Sequence, residues 1–156
     1  MKERRAARRL ALDVLYEAEI RDMLPIEAYR EREKLGWAVG DEENPLVATE
    51  QPIPEVLAYA RKLVESVQEH HPDVDVLIVR YADRWAIDRM PVVDRSLVRM
   101  ALCELFYGGG DIPVAVAINE AVELAKSYST EDSGRFVNGL LGRIAEQELG
   151  SGQQAT

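Results

Sequence analysis

The sequence predicts an all-α fold, a single-domain helical bundle of about seven helices, on three observations. Apolar residues recur at spacings of three and four, strand-type alternation is almost absent, and proline and glycine fall between the periodic segments. The first helix covers about residues 3 to 23 and stops before Pro25. Ala11, Val14, Leu15 and Ala18 form its apolar face, and Arg4, Arg5, Arg8 and Arg9 fall outside that face. Pro25 opens a short second helix to about Leu35, because a missing N–H costs nothing in a first helical turn. Residues 36 to 53, GWAVGDEENPLVATEQPI, carry two glycines, two prolines and an acidic cluster and read as a surface loop or insertion. Pro54 starts a third helix ending near His70; His71 and Pro72 break the chain before a fourth, about Asp73 to Trp85.

After Met90, Pro91 opens a fifth helix that the triple glycine Gly108 to Gly110 stops. Pro113 opens the sixth, to about Tyr128, with Val114, Ile118, Ala121, Val122 and Ala125 as its buried stripe and Asn119, Glu123 and Lys126 to one side. Ser129 or Thr130 caps the seventh, which runs to about Leu149 and turns Val137, Leu140, Leu141 and Ile144 to the core. Phe136 sits at the edge of that face and Asn138 off it. Residues 150 to 156, GSGQQAT, read as a disordered tail.

A chain of 156 residues with 47% apolar content fits one domain, here residues 1 to 149, and can bury a core of normal proportions. Its single cysteine, Cys103, rules out an intramolecular disulfide and suits a reducing compartment; its place in MALCEL favours a small buried apolar residue over a nucleophile. The N-terminus is charged from the second residue, without the apolar region of a secretory signal, and no run of 18 apolar residues exists, so a cytoplasmic protein is expected. The net charge of −9 argues at first against a nucleic-acid partner. Its distribution reverses that argument: residues 1 to 9 sum to +4, leaving −13 on residues 10 to 156. A basic pole on an acidic body holds RNA locally and repels it elsewhere.

Four arginines in the first turns of a helix also oppose its macrodipole, each at a cost of about 0.3–1 kcal/mol, so helix stability does not explain them. A solvated charge run that aids solubility is the plainer reading. The turn STEDSGRF before the seventh helix offers free amide hydrogens, with the side chains of Thr130, Asp132 and Ser133 close by. Amides can take a phosphate or a base carbonyl, and Asp132 repels phosphate but can accept from a base amino group. Glu131 and Asp132 are equally ordinary first-turn acids, and Phe136 is either a packing residue or a stacking platform. His70 and His71 adjoin Asp73 and Asp75, but without an HExxH or paired-cysteine pattern they read as a polar helix end, so no metal or cofactor is expected. GxSxG, P-loop and GxGxxG patterns are absent too, and nothing supports catalysis.

Three segments carry a resemblance: VAINEAVELAK from Val116 to Lys126, FVNGLL from Phe136 to Leu141, and DRSLVRMALCEL from Asp94 to Leu105. Together they resemble the bacterial transcription antitermination factor family NusB, over most of the chain except about residues 36 to 53 and the last few. What the resemblance implies is a non-enzymatic factor that binds the single-stranded boxA element of ribosomal RNA leader transcripts as a heterodimer with NusE, a ribosomal protein, and joins RNA polymerase to suppress termination. The family's RNA contacts carry over to Arg4, Arg5, Arg8 and Arg9, to Asp132, Ser133, Phe136 and Asn138, and to Tyr16, for which core packing is the alternative. Its NusE-facing surface carries over to Asp94 as an exposed acid, with Asp88 and Arg89 nearby in a loosely aligned segment. Rival readings are a homodimeric helical interaction module with RNA binding masked or lost, the NusB-like domain that precedes an RNA methyltransferase, and an independent hydrolase. The second lacks a methyl-donor GxG and a catalytic cysteine motif in this chain.

Overall fold

The computed structural model describes residues 2–37, 52–82 and 86–150. Most of the expected loop at 36–53, the tail after Gly150 and the expected helix end at Trp85 lie outside the described residues. Among the described residues the chain is all-helical: α1 (Lys2–Arg21), α2 (Pro25–Leu35), α3 (Pro54–Tyr81), a 3₁₀ helix (Ile87–Arg89), α4 (Val92–Tyr107), α5 (Val114–Tyr128) and α6 (Glu131–Leu149). Two compact units result, Met1–Glu65 and Ser66–Thr156.

The expected break at His71–Pro72 is not there; the third and fourth helices are one continuous α3 with Pro72 inside it. Proline in a helix interior costs about 3 kcal/mol, through a lost hydrogen bond and a clash with the carbonyl four residues back. Against that cost, Val56, Ala60, Leu63, Val67, Val74 and Ile78 form one buried stripe that continues across position 72 only if the helix does. Val74 and Ile78 are fully buried, and each such side chain is worth about 1.5–3 kcal/mol, so burial outweighs the proline. Pro72 itself lies on the exposed face.

In the first unit, α1 buries Ala7, Ala11, Leu12, Val14, Leu15 and Ala18, α2 buries Ala28 and Tyr29, and the Tyr29 hydroxyl donates to the Leu57 carbonyl of α3 at 3.1 Å. Glu17 accepts from Arg21 of its own helix at 3.1 Å and from Arg32 of α2 at 3.0 Å. The helix α1 ends on Asp22, which takes the left-handed conformation at φ 51°, while the Met23 N–H reaches back to the Ala18 carbonyl. This closure usually employs glycine.

In the second unit α4 is the central helix, burying Leu97, Val98, Met100, Ala101, Leu102 and Cys103, and packing against both α5 and α6. Arg99 holds Asp75 of α3 with two bonds of 2.8 Å, and the His70 and Tyr107 rings stack with centroids 3.6 Å apart. Burial pushes the Cys103 thiol up to about 12, which makes it an inert core residue, as its surroundings in sequence suggest. The buried face of α5 is rotated from expectation: Ala117, Ala121, Leu124 and Ala125 are buried, whereas Val114, Ile118 and Val122 are half-buried. Because α5 touches two helices, its small alanines sit with Leu124 where the backbones approach closely, and Val114, Ile118 and Val122 form the rim.

Candidate nucleic-acid interface

In the first unit the arginine cluster separates into two faces of α1. Arg5 and Arg9 are exposed one turn apart, and Tyr16, 43% exposed, lies two turns further along the same stripe. Tyr16 is thus a surface residue. Arg4 and Arg8 turn instead toward Tyr59 of α3, their guanidinium carbons 4.9 and 6.0 Å from the ring centroid. Arg8 is buried at 3% exposure, which corrects the expectation that all four arginines stand outside the apolar face. The reason is Leu12, also buried: it widens the core face so that Arg8 falls between Leu12 and Leu15, one and two turns on. Here the arginine stems and the ring pack as much as they carry charge.

In the second unit the turn before α6 is built from hydroxyls. Thr130 is the N-cap, its side chain accepting from the Ser133 N–H at 3.0 Å. The Ser133 hydroxyl donates to Asp94 Oδ2 of α4 at 3.1 Å, which commits its only proton. Ser129, 2.9 Å from the same oxygen, therefore donates to Ser133, as Thr130 does at 3.3 Å, and a chain of hydroxyls ends on one carboxylate. Gly134 lets this turn lie close to α5, since an added Cβ would stand 2.8 Å from Lys126 Cγ.

Asp94 is the principal correction. Expected as an exposed partner contact, it is buried at 3% exposure, and its Oδ1 has no hydrogen-bond partner. Burial pushes its carboxyl above the usual range, with the Ser133 hydrogen bond pulling the other way. It follows that a lysine at 94 would perturb the fold before it perturbed any partner. The nearby Asp88 and Arg89 are exposed on the 3₁₀ helix, held by a residue the sequence reading did not single out: buried Arg95 donates to the Ile87 and Met90 carbonyls at 3.0 and 3.2 Å.

Asp94 lines a cavity of about 240 Å³ together with Met90, Pro91, Thr130, Asp132, Ser133 and Phe136. Four sequence candidates thus meet there with Asp94, while Asn138 is exposed on α6 and does not line it. Met90 and Pro91 were legible only as a helix start. Asp132 is ion-paired with Arg135, both exposed, so its charge is locally neutralised.

The described residues define an all-helical protein in which the sequence candidates fall on an exposed face of α1 and at the capped start of α6. The chain belongs to the NusB family, whose family model matches residues 5–146. It is 50% identical over 149 residues to the transcription antitermination protein NusB of Salinispora arenicola, covering 94% of this chain and 97% of that one. Among solved structures it is similar to T. maritima NusB (TM-score 0.77, 33% identity, 98% of this chain and 97% of that chain). It is also similar to a chain from the antitermination factors NusB and NusE in complex with double-stranded RNA (TM-score 0.76, 29% identity, 94% and 98% covered). Among the described residues no helix is long and apolar enough to cross a membrane.

Proposed function

We propose that this protein is a transcription antitermination factor of the cytoplasm that binds single-stranded boxA-type RNA of ribosomal leader transcripts together with NusE, and that the pair joins RNA polymerase to suppress termination. It acts by binding, not by catalysis. The observation that carries the reading is the cavity at the capped start of α6, which falls within the family match and gathers Thr130, Asp132, Ser133 and Phe136 in a protein otherwise rich in acidic charge. In this reading Arg5 and Arg9, with Arg4 and Arg8 behind them, hold phosphates, and Tyr16 and Phe136 offer ring faces to bases. Asp132, Ser133, Thr130 and Asn138 meet base edges, whereas Asp88 and Arg89, positioned by the segment that leads to Asp94, face NusE.

Titrating a labelled boxA-type RNA, single-stranded and as a duplex, with and without NusE, tests it. The expected result is preference for the single strand over a scrambled sequence, with tighter binding when NusE is present. Phe136→Ala should lose about 1–3 kcal/mol if a base stacks on the ring. Equal affinity for boxA-type and scrambled RNA in both settings overturns the reading.

A further inference from the structure

We infer that Tyr59 of α3 is a positioning residue for RNA: its ring holds Arg4 at the start of α1 as a third phosphate ligand beside Arg5 and Arg9, with buried Arg8 anchoring the ring against the helix. The inference rests on the RNA-binding reading above and deepens it. Tyr59 acts through the arginines and itself touches no RNA.

The need for such a residue is visible at the start of α1. Lys2, Arg4, Arg5, Arg8 and Arg9 set positive charges against Glu3 alone in a helix end whose macrodipole is already positive. Arg4 with Arg8, and Arg5 with Arg9, are like-charge pairs one turn apart, which loosen a helix further. Apolar burial does little to oppose this, because Ala7 is the one buried apolar residue among residues 2–8. Left to these forces the first two turns would fray, and each phosphate contact would then have to restore lost backbone and side-chain order.

Tyr59 counters the fraying from outside the helix. It is half-buried on α3, fixed by the buried Val56, Ala60 and Leu63 of the same helix, and it belongs to the same compact unit as α1. The Arg4 guanidinium carbon lies 4.9 Å from the ring centroid and that of Arg8 6.0 Å, so one ring quadrupole attracts both members of a repelling pair. The two arginines differ in what they can do next. Arg8, 3% exposed, is out of reach of a phosphate and contributes by packing. Arg4 is half-buried, and a guanidinium laid over a ring keeps its N–H groups in its own plane, so the ring sets its direction while an oxyanion takes its edge. Arg5 and Arg9 gain from the same order, since only a formed helix spaces them about 6 Å along its axis. With two guanidinium groups against it, the Tyr59 ring is not an open stacking platform, which separates its role from that of exposed Tyr16.

The test compares Tyr59→Leu and Tyr59→Phe with the wild-type chain, using labelled single-stranded boxA-type RNA at several salt concentrations, thermal melts and amide hydrogen exchange along α1. Leucine keeps an apolar side chain and removes the ring; phenylalanine keeps the ring. Tyr59→Met, which fills gaps readily, replaces the leucine variant should that one not fold. In Tyr59→Leu the slope of log affinity against log salt should flatten by about 0.7, the loss of one phosphate contact, or roughly fivefold in affinity at about 0.1 M salt. Amides of the first two turns should exchange faster while those from Leu12 to Ala18 hold, and Tyr59→Phe should restore both slope and exchange. In an Arg4→Ala background, Tyr59→Leu should flatten the slope no further. If Tyr59→Leu binds with wild-type slope and affinity, Tyr59 only packs and the inference fails, with the RNA reading intact. If affinity falls while slope and α1 amides stay unchanged, the ring contacts RNA itself and the inference is likewise overturned. A wild type that binds boxA-type and scrambled RNA alike sinks the RNA reading and this inference with it.

Discussion

Asp94 and Arg8 show how a single side chain changes meaning with its surroundings. Both are charged residues at polar positions of their helices, and both are 3% exposed. Arg8 lies near the Tyr59 ring, whereas Asp94 has one hydroxyl donor for two carboxylate oxygens. Its folded-state carboxyl is raised above the ordinary value of 3.8 chiefly by burial, so the folded chain binds a proton more readily than the unfolded one. The stability this contributes is present below that value and is lost as pH rises through the folded value. Asp94→Asn, which keeps an acceptor for Ser133 but never ionises, should therefore melt above the wild type at pH 7 and alongside it near pH 3. Thermal melts across that range check the sign; a variant that melts lower at pH 7 would show that the ionised carboxylate is stabilised here.

At the scale of elements, proline set most helix starts and misled at one. Pro25 and Pro54 are first residues of α2 and α3, and Pro91 and Pro113 are the caps of α4 and α5. Pro72 has the same local character, but the apolar stripe of α3 runs through it, and only the burial on both sides decides between a break and a strained turn. Pro72→Ala should accordingly stabilise the fold by about 1–3 kcal/mol, read as a higher urea midpoint with an unchanged slope. Asp22→Gly, at φ 51°, should add a smaller gain of about 0.5–1 kcal/mol. The core face of α6 was legible because it has one dominant stripe, whereas that of α1 was read too narrowly, without Ala7, Leu12 and the buried Arg8. That of α5 was not legible, since contact with two helices shifts burial onto its alanines and Leu124. Of the site, the turn and its hydroxyls could be read from capping chemistry, whereas the Asp94–Ser133 bond joins residues 39 positions apart and has no local signal.

For the whole molecule, the question is how a chain of net charge −9 holds a polyanion. In the proposed RNA-binding reading, basic residues concentrated before residue 10 attract phosphate within about a Debye length while the acidic remainder penalises any other approach, so charge distribution would supply selectivity that net charge denies. The structure also limits how much each arginine contributes. Arg8 is buried and Arg4 half-buried over Tyr59, leaving Arg5 and Arg9 as the exposed pair. With about three phosphates neutralised, log affinity against log salt should fall with a slope near −2, taking about −0.7 per contact for a single strand. Replacing Arg5 and Arg9 by alanine should flatten that slope by about 1.4 with little change in melting temperature, because exposed substitutions typically stay within about 0.5 kcal/mol. Arg8→Ala should do the reverse, lowering stability through lost packing on Tyr59 and moving the slope least. Titrations at three or more salt concentrations distinguish the two variants. A steeper dependence on Arg8 than on Arg5 and Arg9 would place the phosphate path along the Tyr59 face of α1 and not along the stripe that leads to Tyr16.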